Sequence, residues 1–216
     1  MKKSALKLLS LCFMLTAAFS SPAIASGVAE AEWISLFDGG TLAGWKAGGN
    51  NTTFKCGMGF QPMKHGQDGR ATGMIVADGP RSHLFYAGPV EGHDFTSFEL
   101  KVDVKTMSNA HSGIYFRTEY QQADFPVKGY KVQINNTYSS AEGNRELRKT
   151  GSLYGVRDVF VSCVKDETWF TVHIIVEGRR IRVSVDDRLL VDYIEPDEPV
   201  RAGSGSDNLL SHGTFA

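Results

Sequence analysis

Three segments of the chain alternate apolar and polar residues, the pattern of a β-strand with one buried face. They are residues 98–104, 111–119 and 129–135. The apolar positions, such as Ile114, Phe116 and Val132, would point to a core. The polar set would point the other way: Glu99, Lys101, Asp103, Gly113, Tyr115, Arg117, Glu119, Lys131, Gln133 and Asn135. If the three strands are neighbours in one sheet, that face is a polar shelf able to bind a sugar. A sheet face that merely meets solvent has the same pattern.

The pattern of the rest of the chain also predicts short strands separated by turns. Residues 171–176 lead through a turn at 177–179 into 180–185, and a second turn at Asp186-Asp187 leads into 189–193, which predicts a β-meander. The polar stretch 138–150 predicts a long loop, with a short helix around 141–147 as the alternative. Short strands with frequent turns and little helical periodicity predict an all-β sandwich or jelly roll.

The amino terminus has the features of a secretory signal peptide. A basic start is followed by the apolar run 8–19 and by Ala23-Ile24-Ala25, so cleavage is expected after Ala25. Residues 26–216 then form a single domain in the periplasm or outside the cell. That part carries 20 basic against 24 acidic residues, a formal charge of −4. This charge argues against nucleic acid and anionic membrane partners, and no later segment is long and apolar enough to insert in a membrane.

Cysteine and histidine usage leaves two questions open. Cys56 and Cys163 could pair in an oxidising compartment or remain separate thiols. No zinc-type spacing and no His-x-His pair occurs, so a transition-metal site has little support. A divalent metal such as Ca²⁺, bound through oxygen ligands, stays open.

Five segments, taken in order, resemble the 3-keto-disaccharide hydrolase family. They are LFDGGTLAGW at 36–45, DFTSFEL at 94–100, SGIYFR at 112–117, GYKVQI at 129–134 and TGSLYG at 150–155. The resemblance runs from about Trp33 to the end of the sequence. It implies a concanavalin-like jelly roll of two packed antiparallel sheets, and an exported protein that acts on oxidised glycosides. Residues 209–216 look like the start of a strand, so either the family's closing strand is missing after Ala216 or the chain ends in a short edge strand.

The implied chemistry is elimination from a sugar that carries a ketone at C3. The ketone makes the C2 proton acidic, and its removal expels the aglycone from C1; water can add afterwards. This reaction needs a base at C2, a donor or cation at O3 and an acid at the leaving oxygen. Glu99, Asp103 or Glu119 is the expected base, and Arg117 is the expected enolate stabiliser. The expected substrate-binding residues are Trp45, His111, Tyr115, Gln133, Asn135 and Tyr154.

Three other functions fit the same sequence. A non-catalytic carbohydrate-binding module would favour exposed aromatic residues on the shelf. A conventional glycoside hydrolase would use two carboxylates that flank the bond. A structural domain of an envelope assembly would expose an apolar patch. The shelf is richer in charged and amide groups than in aromatic ones, which favours catalysis; the oligomeric state stays open.

Overall fold

The computed structural model describes residues 33–60, 71–139, 143, 145–199 and 210–216. The signal peptide expected at residues 1–25 lies outside the described residues. Ten strands occur in the described part, with 3₁₀ turns at Asn51–Thr53 and Val90–His93. The strands are β1 Trp45–Gly49, β2 Phe54–Phe60, β3 Ala71–Ala77, β4 Ser82–Tyr86, β5 Phe98–Lys105, β6 Ser112–Phe116, β7 Tyr130–Ile134, β8 Trp169–Glu177, β9 Arg180–Val185 and β10 Arg188–Ile194.

Four strands form an antiparallel sheet in the order β10-β9-β8-β5, here called the back sheet. The predicted meander at 171–193 is confirmed as β8, β9 and β10. Alternate residues of these strands, such as Leu100, Ile174 and Val183, are almost fully buried. β5 pairs with β8 and not with β6. The three polar strand faces therefore do not form one shelf, because the strand carrying Glu99 and Asp103 belongs to a different sheet.

The remaining central strands form a second sheet, here called the front sheet. β1 pairs with β4, and β6 pairs with β7, all antiparallel. Residues 213–216 lie between the two pairs. The Tyr86 N–H donates to the Phe215 carbonyl at 2.9 Å, and Tyr115 and Ala216 exchange two backbone hydrogen bonds of 2.6 and 3.0 Å. Of the expected strand start at 209–216, residues 213–216 are thus an interior segment of a sheet rather than an edge strand.

A further segment, residues 151–154, extends the front sheet beyond β7. The Gln133 N–H donates to the Ser152 carbonyl, and the Tyr154 N–H donates to the Lys131 carbonyl, each at 2.9 Å. The strand order of the front sheet is therefore β1, β4, 213–216, β6, β7 and 151–154. β2 and β3 pair only with each other.

The core lies between the apolar faces of the front and back sheets. Phe98 of the back sheet meets Phe116 of the front sheet edge to face, with ring centroids 5.7 Å apart. Phe95 stacks on Phe215 at 4.4 Å. Each aromatic side chain buried in this way contributes about 1.5–3 kcal/mol. The fold is all-β, as predicted, with antiparallel sheets.

A β-bulge at Arg117 ends the alternation of β6. Ala216 faces Tyr115, but Thr214 exchanges two hydrogen bonds with Thr118, so the β6 side holds one extra residue. Arg117 takes a positive φ of 51° and its side chain is 2 % exposed. Its Nη2 donates to the carbonyls of Thr96 at 2.7 Å and Gly178 at 2.6 Å. The expectation that Arg117 faces the polar side is wrong, because the bulge turns it towards the core.

Three further sequence questions are answered by the fold. Cys56 and Cys163 are free thiols, and Cys56 is exposed. The described residues of 138–150 include no helix, so the loop prediction is confirmed for that part. Within the described ranges, no helix has the length and apolar character needed to cross a membrane.

The position of Arg117 predicts a stability effect. Arg117→Met should lower the free energy of unfolding by roughly 2–4 kcal/mol, since two buried carbonyls lose a charged donor. Urea unfolding followed by fluorescence measures this. Lys128→Met is the matched surface control, because Lys128 makes an exposed ion pair with Glu119 and its loss should cost less than about 1 kcal/mol. An Arg117→Met protein as stable as this control would contradict a structural role.

Candidate functional site

The outward face of the front sheet gathers the polar residues that the fold leaves next to one another. Tyr115 faces Lys131 and Gly113 faces Gln133 across the β6–β7 pair. Directly opposed residues of an antiparallel pair point to the same side, so all four belong to this face. Tyr154 follows on the next segment, hydrogen-bonded to the Lys131 backbone. The front-face site is defined here as His83, His111, Tyr115, Lys131, Gln133, Glu146, Arg148 and Tyr154.

Lys131 lies partly buried in the middle of the front-face site. Its chain crosses over Gly113, where a Cβ atom would come within 2.2 Å of the Lys131 Cε. The Nζ lies 5.0 Å from the Tyr154 ring centroid and 5.6 Å from that of Tyr115. Burial lowers the pKa of Lys131 from 10.5 to about 8, although the charge of Glu146 opposes the shift. Burial also raises the pKa of Tyr115 to about 12.

A network of ion pairs borders Lys131 on the loop that precedes residues 151–154. The Tyr154 hydroxyl donates to Glu146 Oε2 at 3.2 Å. Arg148 contacts Glu146 at 3.4 Å and Asp158 at 3.1 Å, and its guanidinium lies 4.5 Å from the Tyr154 ring centroid. Burial alone would raise the pKa of Glu146, but the hydrogen bond from the Arg148 N–H and the Arg148 charge lower it overall. Burial and the Glu146 charge raise the pKa of Tyr154.

Two histidines of the site are held in the neutral form. His111 stacks on Tyr138 with ring centroids 4.4 Å apart, and burial together with the Lys131 charge lowers its pKa below 6.5. His83 meets the edges of Tyr115 and Phe125 at 5.5 and 5.7 Å. Burial and the charges of Lys131 and Arg81 lower the pKa of His83 to about 4. Both imidazoles are therefore uncharged at neutral pH.

The loop that follows the Arg117 bulge folds back over the other end of the front sheet. Tyr120 packs edge to face on Phe85 at 5.2 Å, and Phe125 packs on His83. A Cβ atom on Gly48 would come within 2.2 Å of the Gln121 carbonyl, so glycine permits this close approach. The loop forms an aromatic wall beside Tyr115.

Two fully buried amide side chains, one within the site and one next to it, differ in their hydrogen bonding. Asn135 is fully buried, and its Nδ2 donates to the carbonyls of Glu146 at 3.0 Å and Arg148 at 2.8 Å. It holds the loop that carries these two residues. Gln133 is also fully buried, and neither amide atom has a hydrogen-bond partner in the part of the chain that the structure describes. An unpaired buried amide is costly, which favours a ligand as its partner.

Of the predicted substrate-binding residues, the structure brings four together. His111, Tyr115, Gln133 and Tyr154 all belong to the front-face site. Asn135 was expected to contact substrate, but it positions the loop instead. Trp45 points to the other side of the front sheet, where its Nε1 donates to the Leu36 carbonyl at 3.0 Å and its ring meets Tyr86.

The four predicted catalytic residues lie elsewhere. Glu99 is on the outer face of the back sheet, 2.7 Å from His173, and Asp103 accepts from Thr171 at 2.6 Å. Glu119 pairs with Lys128 at 2.7 Å on the exposed loop. Arg117 is buried between the sheets. The front-face site therefore contains none of the four.

The three charged residues at the centre of the site, Lys131, Glu146 and Arg148, could not be recognised as functional from the sequence. Lys131 was placed on the correct face, but nothing in the strand pattern distinguishes it from an ordinary exposed lysine. Glu146 and Arg148 lie in the polar loop 138–150, where no periodicity fixes the direction of a side chain. Within the described ranges no group of three or more His, Cys, Asp or Glu residues is placed to hold a metal ion. A divalent metal remains a prediction.

Phenol, imidazole, amide and charged groups gathered on one sheet face suit a carbohydrate ligand, and comparison with known proteins agrees. The sequence matches the 3-keto-alpha-glucoside-1,2-lyase-like domain over residues 32–216. The chain belongs to this family, which indicates a glycoside-acting domain of hydrolase or lyase type. No curated protein matches the chain.

One of three similar solved structures agrees at the level of the fold. A candidate glycosyl hydrolase from Parabacteroides distasonis is 15 % identical with a TM-score of 0.56, and the match covers 84 % of each chain. A second such protein from the same organism is 19 % identical with a TM-score of 0.45, over 61 % of this chain and 71 % of that one. The carbohydrate-binding module CBM66 from Bacillus subtilis is 14 % identical with a TM-score of 0.36, over 61 % and 69 %.

The lowered pKa of Lys131 predicts a pH-dependent stability. A lysine whose folded-state pKa is depressed destabilises the fold below that pKa, and the penalty disappears as pH rises from about 8 to 10.5. Lys131→Met should therefore raise the free energy of unfolding at about pH 7 by roughly 2–3 kcal/mol. The difference in free energy of unfolding between Lys131→Met and the wild-type protein should become smaller at about pH 10. Urea unfolding at both pH values measures it, with Lys128→Met as control; a variant less stable than wild type at neutral pH would refute it.

Proposed function

We propose that the front-face site cleaves 3-keto-glycosides by removing the C2 proton and eliminating the aglycone from C1. The family assignment supports a glycoside as substrate, and the groups of the site support the reaction. We further propose that the domain is a jelly roll exported to the periplasm or the cell exterior. The observation that carries the proposal is a partly buried lysine that shares a sheet face with a neutral histidine and a tyrosine.

The C3 ketone needs an electrophilic partner that takes up the negative charge created at C2. Arg117 was expected in this role, but its guanidinium is committed to two buried carbonyls. Lys131 replaces it as the cationic residue on the sheet face itself. Preorganised groups of this kind are worth about 3–4 kcal/mol in the transition state. The unpaired amide of Gln133 would hold a neighbouring hydroxyl.

His111 is the proposed base for the C2 proton. Its imidazole is neutral at neutral pH, and the charges of Lys131 and Glu146 both act on its pKa, which supports this role. Tyr154 is the proposed acid that protonates the leaving oxygen. Its hydroxyl already donates to Glu146, which orients it, and a phenol is acidic enough to protonate a sugar alkoxide.

The carboxylates of the site do not suit conventional glycoside hydrolysis. That reaction needs one carboxylic acid whose pKa is raised, so that it stays protonated as the general acid. Glu146 has a lowered pKa, and Arg148 ties both Glu146 and Asp158 into one ion-pair network. These acids serve better to orient Tyr154 and Arg148.

Product analysis tests the proposed reaction directly. The purified protein is incubated with a 3-keto-disaccharide and with the unoxidised parent, each with and without a chelator. Cleavage of the keto sugar alone is the expected result. Loss of that cleavage with chelator would show that a divalent metal takes part. Cleavage of the parent would indicate a conventional glycosidase, and sugar binding without any cleavage would indicate a binding module.

The proton-transfer roles predict the behaviour of two variants. His111→Asn and Tyr154→Phe should each lower kcat by about 10²–10⁴, since each removes one proton-transfer group. The wild-type rate should fall as pH drops through the His111 pKa, below 6.5. The exposed His212, which pairs with Asp94, gives the control His212→Asn. Normal kcat in His111→Asn would exclude it as the base.

A further inference from the structure

Resting on the lyase function proposed above, the geometry points to Lys131 as a covalent catalyst: we infer that its amine condenses with the C3 ketone to form an imine. The imine, rather than the free ketone, then accepts the electron pair from C2. This goes beyond electrostatic stabilisation, because it requires a primary amine and not merely a positive charge.

The surroundings of Lys131 suit a nucleophilic amine. Its Nζ makes no ion pair and donates no hydrogen bond within the ranges that the structure describes. The Nζ lies over the ring faces of Tyr115 and Tyr154. Other lysines differ: Lys128 pairs with Glu119 at 2.7 Å, and Lys149 donates to the Glu146 carbonyl at 3.2 Å. A carboxylate partner would hold the ammonium form, and among the described residues none lies within ion-pair distance of the Lys131 Nζ.

Space around Lys131 is provided by Gly113. Because a side chain at position 113 would collide with the Lys131 Cε, the absence of one lets the lysine chain lie flat over the sheet. Its nitrogen then reaches the gap between Tyr115 and Tyr154, next to the proposed acid. The neutral form is also accessible: with a pKa of about 8, about a tenth of the amine is uncharged at neutral pH.

The atoms of the covalent route balance without any oxidant or reductant. The amine adds to the ketone, and water leaves as the protonated imine forms. His111 takes the C2 proton, the electron pair moves into an enamine, and the C1–oxygen bond then breaks as Tyr154 gives its proton to the aglycone. A conjugated imine remains. One water releases the unsaturated keto sugar and the free amine, and a second can add across the C1–C2 double bond.

Borohydride trapping tests the imine apart from cleavage. The purified protein is incubated with a 1,5-anhydro-3-keto-hexitol, which has the ketone but no aglycone to lose, and cyanoborohydride is added. The expected product is a stable adduct whose mass increase equals the ligand less one oxygen atom. Peptide mapping should place it on Lys131, and trapping should speed up as pH rises towards about 8. No adduct, or equal labelling of Lys128, would refute the imine.

Variants separate the amine from its charge. Lys131→Arg keeps the charge but cannot form the imine, so cleavage should fall as far as in Lys131→Met, while Lys128→Arg stays at the wild-type rate. Lys131→Cys treated with bromoethylamine regains a primary amine and should recover cleavage, with treated wild type as the control for Cys56 and Cys163. Retained activity in Lys131→Arg would overturn the inference but leave the lyase function intact. Adduct formation by a protein that cleaves no keto sugar would refute the lyase function instead.

Discussion

The two sheets depend on one buried guanidinium at their common end. Arg117 follows β6 of the front sheet. Its guanidinium donates to the Thr96 carbonyl, just before β5, and to the Gly178 carbonyl, in the turn between β8 and β9. The strands β5, β8 and β9 all belong to the back sheet. The bulge that turns Arg117 inwards also changes the course of the chain after it. Residues before the bulge keep the alternation that points Gly113 and Tyr115 to the outward face of the front sheet. Residues after it are released into the loop that covers Phe85 and His83.

Two residues of the site, Lys131 and Gln133, lower the stability of the folded protein. Lys131 lies partly buried between aromatic rings although burial disfavours its charge, and Gln133 is buried with no partner for its amide among the described residues. Neither residue helps the chain to fold, and each would be better replaced by an apolar side chain of similar size on stability grounds alone. Conflicts of this kind between local fit and chemistry are typical of functional sites. Here they occur on two neighbouring positions of one strand, which marks β7 as the centre of the site.

Strand alternation predicted the elements well and their partners poorly. The segments around β5, β6, β7 and the meander β8–β10 all follow from hydrophobic periodicity. Periodicity gives the two faces of a strand but not its neighbour, so Glu99 and Asp103 were grouped with β6 although β5 pairs with β8. Arg117 was placed outwards because a bulge leaves no mark in the apolar pattern. Glu146 and Arg148 could not be placed at all, because tertiary hydrogen bonds from Asn135 fix their loop.

The construction of the site divides it into a part that the fold needs and a part that it does not. Gly113, Tyr115, Lys131 and Gln133 lie on paired strands whose opposite faces form the core, so their spacing cannot change without disturbing the packing of the two sheets. Glu146 and Arg148 sit on an irregular loop joined to that frame mainly through Asn135 and the neighbouring Asp158. A domain built this way can exchange the loop, and with it the charged groups at one end of the front-face site, while the residues on the paired strands stay the same. Diversification of substrates then needs new loop sequences rather than a new fold.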